Sequence, residues 1–347
     1  MKRGAILLLA VLVLALVPTL GTAQGIATTG FSGIPLFNGL SSFGGIFGGP
    51  SSATCGEQLF PKSITEFYIG YMDHRRGTTI DLGNSSTPLP GFWDNLSDVT
   101  HHAPIRGVWL GLSETINLNE RIGLLGSAWV LLPSNQADTE TYSFPAAVGE
   151  RSWSTRNKWW YVDGLVAFNP FAGASLLAGV RYDKYTTEFR DPYAASVLSL
   201  PSDTADVITE NWIPLVGAQV GYNCSQSRLI FRIVGFPTLL GSVKYRQNVS
   251  AGIGALEANG NYKNGYYLEL FTQYVRRFGP GEIGAFARWS GTRGEVDLDL
   301  DASTMPPALP PPFVNATFNT TIQRYAWTVG GSVSLRFDLP FVNRPFM

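Results

Sequence analysis

Near its C-terminal end the chain reads Arg324-Tyr325-Ala326-Trp327-Thr328-Val329-Gly330-Gly331-Ser332-Val333-Ser334-Leu335-Arg336-Phe337-Asp338-Leu339, and this stretch decides how the rest is read. Tyr325, Trp327, Val329, Gly331, Val333, Leu335, Phe337 and Leu339 share one parity, while Arg324, Thr328, Gly330, Ser332, Ser334, Arg336 and Asp338 share the other. Successive side chains of a strand point to opposite faces, so one face is apolar and aromatic and the other polar. The run is about twice as long as the ~5–6 residues of an ordinary strand. A two-residue period of this length and contrast suits a strand with lipid on one side and a polar lumen on the other.

Shorter runs repeat the pattern. Phe67, Ile69 and Tyr71 alternate with Glu66, Tyr68 and Gly70, and Val108, Leu110 and Leu112 with Gly107, Gly111 and Ser113. Trp160, Val162, Val166 and Phe168 alternate with Tyr161, Asp163 and Asn169, and Leu176, Ala178, Val180 and Tyr182 with Ser175, Gly179, Arg181 and Asp183. The same holds around Val216–Tyr222, Leu229–Ile233 and Ile283–Trp289, while 121–133 and 262–277 leave open which face is which. The links near Asn117–Glu120, Asn169–Gly173, Asn223–Ser227 and Phe278–Gly281 are tight turns; those near 74–103, 134–156, 190–206, 240–260 and 301–320 are long and polar or Pro-rich. Strict alternation of short and long links is the habit of a membrane barrel with short periplasmic turns and long extracellular loops. The expected fold is therefore all-β: one antiparallel transmembrane β-barrel of about ten strands, within bounds of eight to twelve.

Composition agrees. The chain has 21 Phe, 14 Tyr, 9 Trp and 38 Gly with only 15% charged residues, against about 25% in an ordinary soluble domain. After residue 23 no apolar run reaches the roughly 18 residues of a spanning helix. Met1-Lys2-Arg3, the apolar run Ala5–Leu20 and the small residues Gly21-Thr22-Ala23 read as a secretory signal peptide, residues 1–23. Residues 24–61, rich in Gly, Ser and Phe, read as a flexible periplasmic arm, and 62–347 as the barrel. Loss of Lys2 and Arg3 takes the formal charge from −1 to −3, too mild to call for a nucleic-acid partner.

Val333-x-Leu335-x-Phe337-x-Leu339-x-Phe341 resembles the C-terminal targeting strand of bacterial outer-membrane proteins. The resemblance implies an outer-membrane β-barrel, inserted by the barrel-assembly machinery through this strand and surrounded by outer-membrane lipid and lipopolysaccharide. A monomer is expected.

The inward parity carries charges of both signs: Glu66, Asp163, Arg181, Asp183, Arg228, Arg232, Glu269, Arg288, Arg324, Arg336 and Asp338. A barrel of about ten strands is narrow inside, so Arg–carboxylate pairs are expected to fill much of it. That predicts a structural or surface-contact barrel with at most a narrow, non-specific, porin-like pore. Cys55 and Cys224 fall on the same, periplasmic side, where a disulfide is chemically reasonable.

Catalytic candidates gather at the extracellular rim. His101 and His102, with Asp94 and Asp98, share the first long link, and a metal site or general base would be built from such residues. Adjacent His side chains on an extended segment point apart, which works against a ready chelate. Pro90-Gly91-Phe92-Trp93-Asp94 followed by His101 resembles a loop of the omptin proteases, ten-stranded barrels that act through an Asp pair and an Asp–His pair facing across the rim. The opposite rim here holds Asp203, Asp206 and Glu210 but no His, so the constellation is incomplete and no catalytic residue is carried over. A rim hydrolase of omptin-like layout stands as the alternative function. Glu295, Asp297, Asp299 and Asp301 share one strand parity, a set that either projects into solvent or suits hard cations. No phosphate-binding loop, dinucleotide fingerprint, zinc spacing or haem motif occurs, so no cofactor is expected.

Overall fold

The alternating runs fold as strands in the computed structural model of the protein, which describes residues 63–81, 98–119, 121–144, 147–171, 173–190, 202–224, 226–249, 254–278, 281–301 and 317–337. The strands are β1 (Ser63–Asp81), β2 (Asp98–Asn117), β3 (Ile122–Leu131), β4 (Ser134–Phe144), β5 (Ala147–Phe171), β6 (Ala174–Arg190), β7 (Ser202–Asn223), β8 (Ser227–Phe236), β9 (Leu240–Val249), β10 (Gly254–Phe278), β11 (Gly281–Asp301) and β12 (Thr317–Phe337). β12 pairs antiparallel with β11 on one side and β1 on the other, and β1 pairs with β2, so the sheet closes on itself.

The described segments occupy ten positions around the ring. β3 and β4 both stand between β2 and β5, and β8 and β9 both stand between β7 and β10. Pro133 lies in the first break and Pro237 in the second. Proline has no N–H to give the ladder, so each stave is interrupted there and then resumes. The barrel thus has the ten staves expected from the sequence, two of them broken.

The short links are tight turns on the side where β1 begins and β12 ends. In the β2–β3 turn, Asn119 Oδ1 accepts from the backbone N–H of Arg121 and of Ile122, both at 2.8 Å. In the β7–β8 turn, the Cys224 N–H donates to the Ser227 carbonyl at 2.7 Å. On the other side the strands run much further than hydropathy suggests. The expected long link 134–156 is mostly hairpin, with β4 paired to β5 up to Phe144↔Ala147. β5 and β10 reach 25 residues each, whereas ~9–11 tilted residues cross a membrane. The sequence hides these extensions because water on the outside removes the lipid-facing apolar set that marks the membrane portion.

Outward side chains make the apolar belt. Phe67, Ile69, Leu112, Val162, Val166, Leu176, Val216, Ile233, Leu270 and Val333 are all exposed. At its upper edge Trp160 meets Tyr182 at 5.3 Å and Tyr182 meets Trp212 at 4.9 Å, with Tyr325 and Trp327 also exposed. Rings with one polar atom favour this interfacial depth. Trp289 and Tyr222 are half-buried, Trp289 lying 6.3 Å from Trp327. The side chain of Phe337 lies outside the described residues.

Candidate functional site: the barrel interior

Mid-barrel, the inward positions of β1, β2, β3, β5, β6, β10 and β11 bring large rings together. Tyr68, Trp109, Trp129, Trp159, Tyr161, Tyr185, Phe271 and Phe286 are all buried in one cluster. Trp129 lies 4.9 Å from Tyr68 and 5.7 Å from Phe286, and Trp109 lies 4.9 Å from Trp159. The sequence reading placed Tyr68 and Tyr161 on the inward parity but did not bring the tryptophans to them. The signal was present: Trp109 and Trp159 hold the opposite parity to Val108 and Trp160.

Guanidinium groups lie over these rings. Arg181 Cζ sits 3.9 Å from the Tyr161 centroid, Arg288 4.7 Å from Tyr161 and Arg324 5.5 Å from Tyr185. Each is also held by carboxylates. Glu269 receives Arg181 Nη1 at 2.8 Å, Arg288 Nη2 at 2.6 Å and the Tyr267 hydroxyl at 2.6 Å, with Arg232 at 3.6 Å. Arg181 also pairs with Asp163, which accepts from Ser127 at 2.7 Å. Asp183 receives Arg324 at 3.2 Å, Trp159 Nε1 at 2.9 Å and Asn211 at 3.3 Å. Nearer the periplasm, Glu66 accepts from Arg228 at 2.6 Å, Tyr68 at 2.8 Å, Gln273 at 3.0 Å and Ser334 at 3.1 Å. Arg228 also reaches Glu282 at 3.0 Å. Unpaired charge at this depth would cost several kcal/mol per ion, so pairing and ring contact together let the Arg side chains fill the bore.

Two further layers flank this septum. Above it, Phe189, Val207, Val243, Ala258, Val296, Leu298 and Ile322 form a buried apolar core inside the strand extensions. Below it, a polar vestibule runs from Tyr68, Trp129 and Phe271 down to Asn117, Asn169 and Gly221 beside the periplasmic turns.

The other residues singled out in the sequence fall as follows. Arg336 continues the β12 series opposite Ile64, but its side chain and that of Asp338 lie outside the described residues. His101 stands opposite Thr78 and Glu140, His102 opposite Gly77 and Thr139, and Asp98 opposite Asp81 and Ser143. The side chains of these three, and Asp94 altogether, lie outside the described residues. A further histidine, His74 of β1, is buried against Trp159 at 5.4 Å. In the β11 acidic run, Asn264 donates to Glu295, Lys263 pairs with Asp297, and Thr317 donates to Asp299; the Asp301 side chain lies outside the described residues. No group of three His, Cys, Asp or Glu is placed to hold a metal among the described residues. Cys224 is buried in its turn, and Cys55 lies outside the described residues.

No family model matches the chain, and no curated protein sequence matches it. Among solved structures, the outer membrane protease OmpT from Escherichia coli aligns with a TM-score of 0.61 at 12% identity, over 81% of this chain and 99% of that one. The outer membrane protein OprG from Pseudomonas aeruginosa aligns at 0.34 and 10% identity, over 80% of this chain and 98% of that one. The chain has an outer-membrane-type β-barrel fold. At 12% identity the likeness to OmpT speaks to the fold alone. Its outward apolar belt and aromatic edge are those expected of a strand-built membrane wall.

Proposed function

We propose that the protein is a closed barrel whose role is structural or surface-contact, carried by its wall and its long extracellular strands, with no more than residual ion leakage through the lumen. The observation behind this reading is the ion-paired aromatic septum at mid-height, centred on Glu269 with Arg181 and Arg288. A porin-like role needs a continuous water path, and buried guanidinium–ring contacts of this kind are worth about 2 kcal/mol or more each when desolvated. Conductance of the refolded mature chain in planar bilayers tests the reading: a porin gives large stepwise currents, a closed barrel does not.

The same proposal includes a cleaved leader at 1–23, a periplasmic arm at 24–61, insertion through β12, monomeric assembly, and contact with lipid and lipopolysaccharide around the belt. A Cys55–Cys224 bridge would fasten the arm beside the β7–β8 turn. In its support, Cys224 sits at the periplasmic mouth, no described cysteine is a free thiol, and the chain has only these two.

A rim hydrolase is the second reading. Its support is the likeness in fold, over 81% of this chain, to the outer membrane protease OmpT, together with His101 standing opposite Glu140 in the β2–β4 register. The test is hydrolysis of a mixed peptide library by refolded protein and by His101→Ala. Cleavage by the first and not the second would replace the closed-barrel reading with the enzyme.

A further inference from the structure

From the septum to the periplasmic mouth, the described inward side chains include five guanidiniums, Arg181, Arg228, Arg232, Arg277 and Arg288, against four carboxylates, Glu66, Asp163, Glu269 and Glu282. Four guanidiniums approach a carboxylate within 3.3 Å: Arg181, Arg228, Arg277 and Arg288. Arg232 does not. Among the described residues its carboxylate is Glu269, whose Oε1 lies 3.6 Å away, beyond hydrogen-bond distance, while Arg181 and Arg288 take Oε2 and share the same single negative charge. Its Nε is buried with no hydrogen-bond partner among the described residues. Its side chain is 14% exposed, against 2% and 3% for Arg181 and Arg288. The guanidinium lies 4.8 Å over Phe271, at the roof of the polar vestibule.

A surplus positive charge in a low-dielectric wall is costly unless an anion or ordered water meets it. The vestibule gives an anion a path, because its lining continues to the periplasmic turns. It also gives neutral donors and acceptors for the rest of a ligand: Ser113, Ser127, Asn169, Ser175, Gln219 and Gln273. Asp163, Glu66 and Glu114 also line it: Asp163 and Glu66 are each neutralised by an arginine, while Glu114, on the outward parity of β2, accepts from Ser63 and Thr65. We propose that Arg232 is an anion-binding subsite at the roof of the periplasmic vestibule, suited to a small oxyanion, a carboxylate or phosphate group carrying hydroxyls. The charge imbalance and the opening to the periplasm carry this assignment, and it holds whether or not the septum above conducts.

The experiment is chloride NMR linewidth on the refolded, micelle-bound mature chain, with inorganic phosphate as competitor. The expected result is a saturable excess broadening that phosphate abolishes, that is lost in Arg232→Gln and that persists in Arg232→Lys. Arg232→Met, which keeps the aliphatic stem, serves if Arg232→Gln does not fold. Equal broadening in wild type and the charge-free variant overturns the proposal, since surface cations then account for all of it. Absence of saturable broadening in wild type overturns it too, whether water alone or another part of the chain meets Arg232. Planar-bilayer conductance tests the closed septum separately, so the two readings fail independently.

Discussion

Glu269 is the residue on which the septum turns. One carboxylate, almost fully buried, faces Arg181, Arg288 and Arg232 and accepts from Tyr267. Glu269→Gln leaves those three guanidiniums with Asp163 as the remaining nearby carboxylate. Removing one partner of a buried pair costs about 3–5 kcal/mol, so the urea midpoint of the refolded barrel should fall by that equivalent; a change below about 0.5 kcal/mol, the range of ordinary surface substitutions, would mean the pairs are solvated. On the opposite face, Ile69 is exposed in the apolar belt six residues above the start of β1. Ile69→Arg should cost about 2–4 kcal/mol, the price of Arg at the membrane midplane, and wild-type stability on the same urea measurement would invert the assigned faces. Inward placement of Arg181, Arg288 and Arg324 was legible from parity alone, since no lipid-facing set can hold them. Which carboxylate each one meets was not, because Arg181 and Glu269 lie 88 residues apart and meet only across the closed bore.

At the scale of strands, the period of two identified the membrane portion and turn chemistry identified its periplasmic end. It failed in the extracellular extensions. The extracellular extensions are polar outside, so β4 and the start of β5 read as loop although they are paired throughout. Strand pairing inside also depends on close approach. A Cβ on Gly111 of β2 would lie 2.4 Å from the Trp129 ring of β3, so the indole lies flat on the glycine. Gly111→Val should drive Trp129 from the stack and blue- or red-shift the tryptophan emission, with slower appearance of the heat-modifiable folded band on electrophoresis. Unchanged emission and folding rate would show that the stack tolerates the displacement. The proposed Cys55–Cys224 bridge would tie the arm to the strands. Non-reducing electrophoresis with thiol labelling should find no alkylatable thiol in the mature protein before reduction and two after; two reactive thiols without reductant would remove the bridge.

For the whole molecule, the ten-stave ring was legible in the sequence, because alternate short and long links and a long amphipathic strand are consequences of closure in lipid. The state of the lumen was only half legible. Mixed inward charge pointed to a filled bore, while the contribution of Trp109, Trp129 and Trp159 was hidden by the habit of placing tryptophan at interfaces. The filled bore has three layers: an apolar core within the extracellular extension, an arginine–aromatic septum, and a polar vestibule open to the periplasm. Together they make a wall-and-surface protein the simplest reading of the barrel. The most direct test is single-channel recording of the refolded mature chain in a planar bilayer. The account predicts a silent membrane, with no stepwise current on reversing the voltage, and currents first appearing when Glu269 is replaced by Gln. Stable, porin-sized conductance steps from the wild-type protein would contradict it.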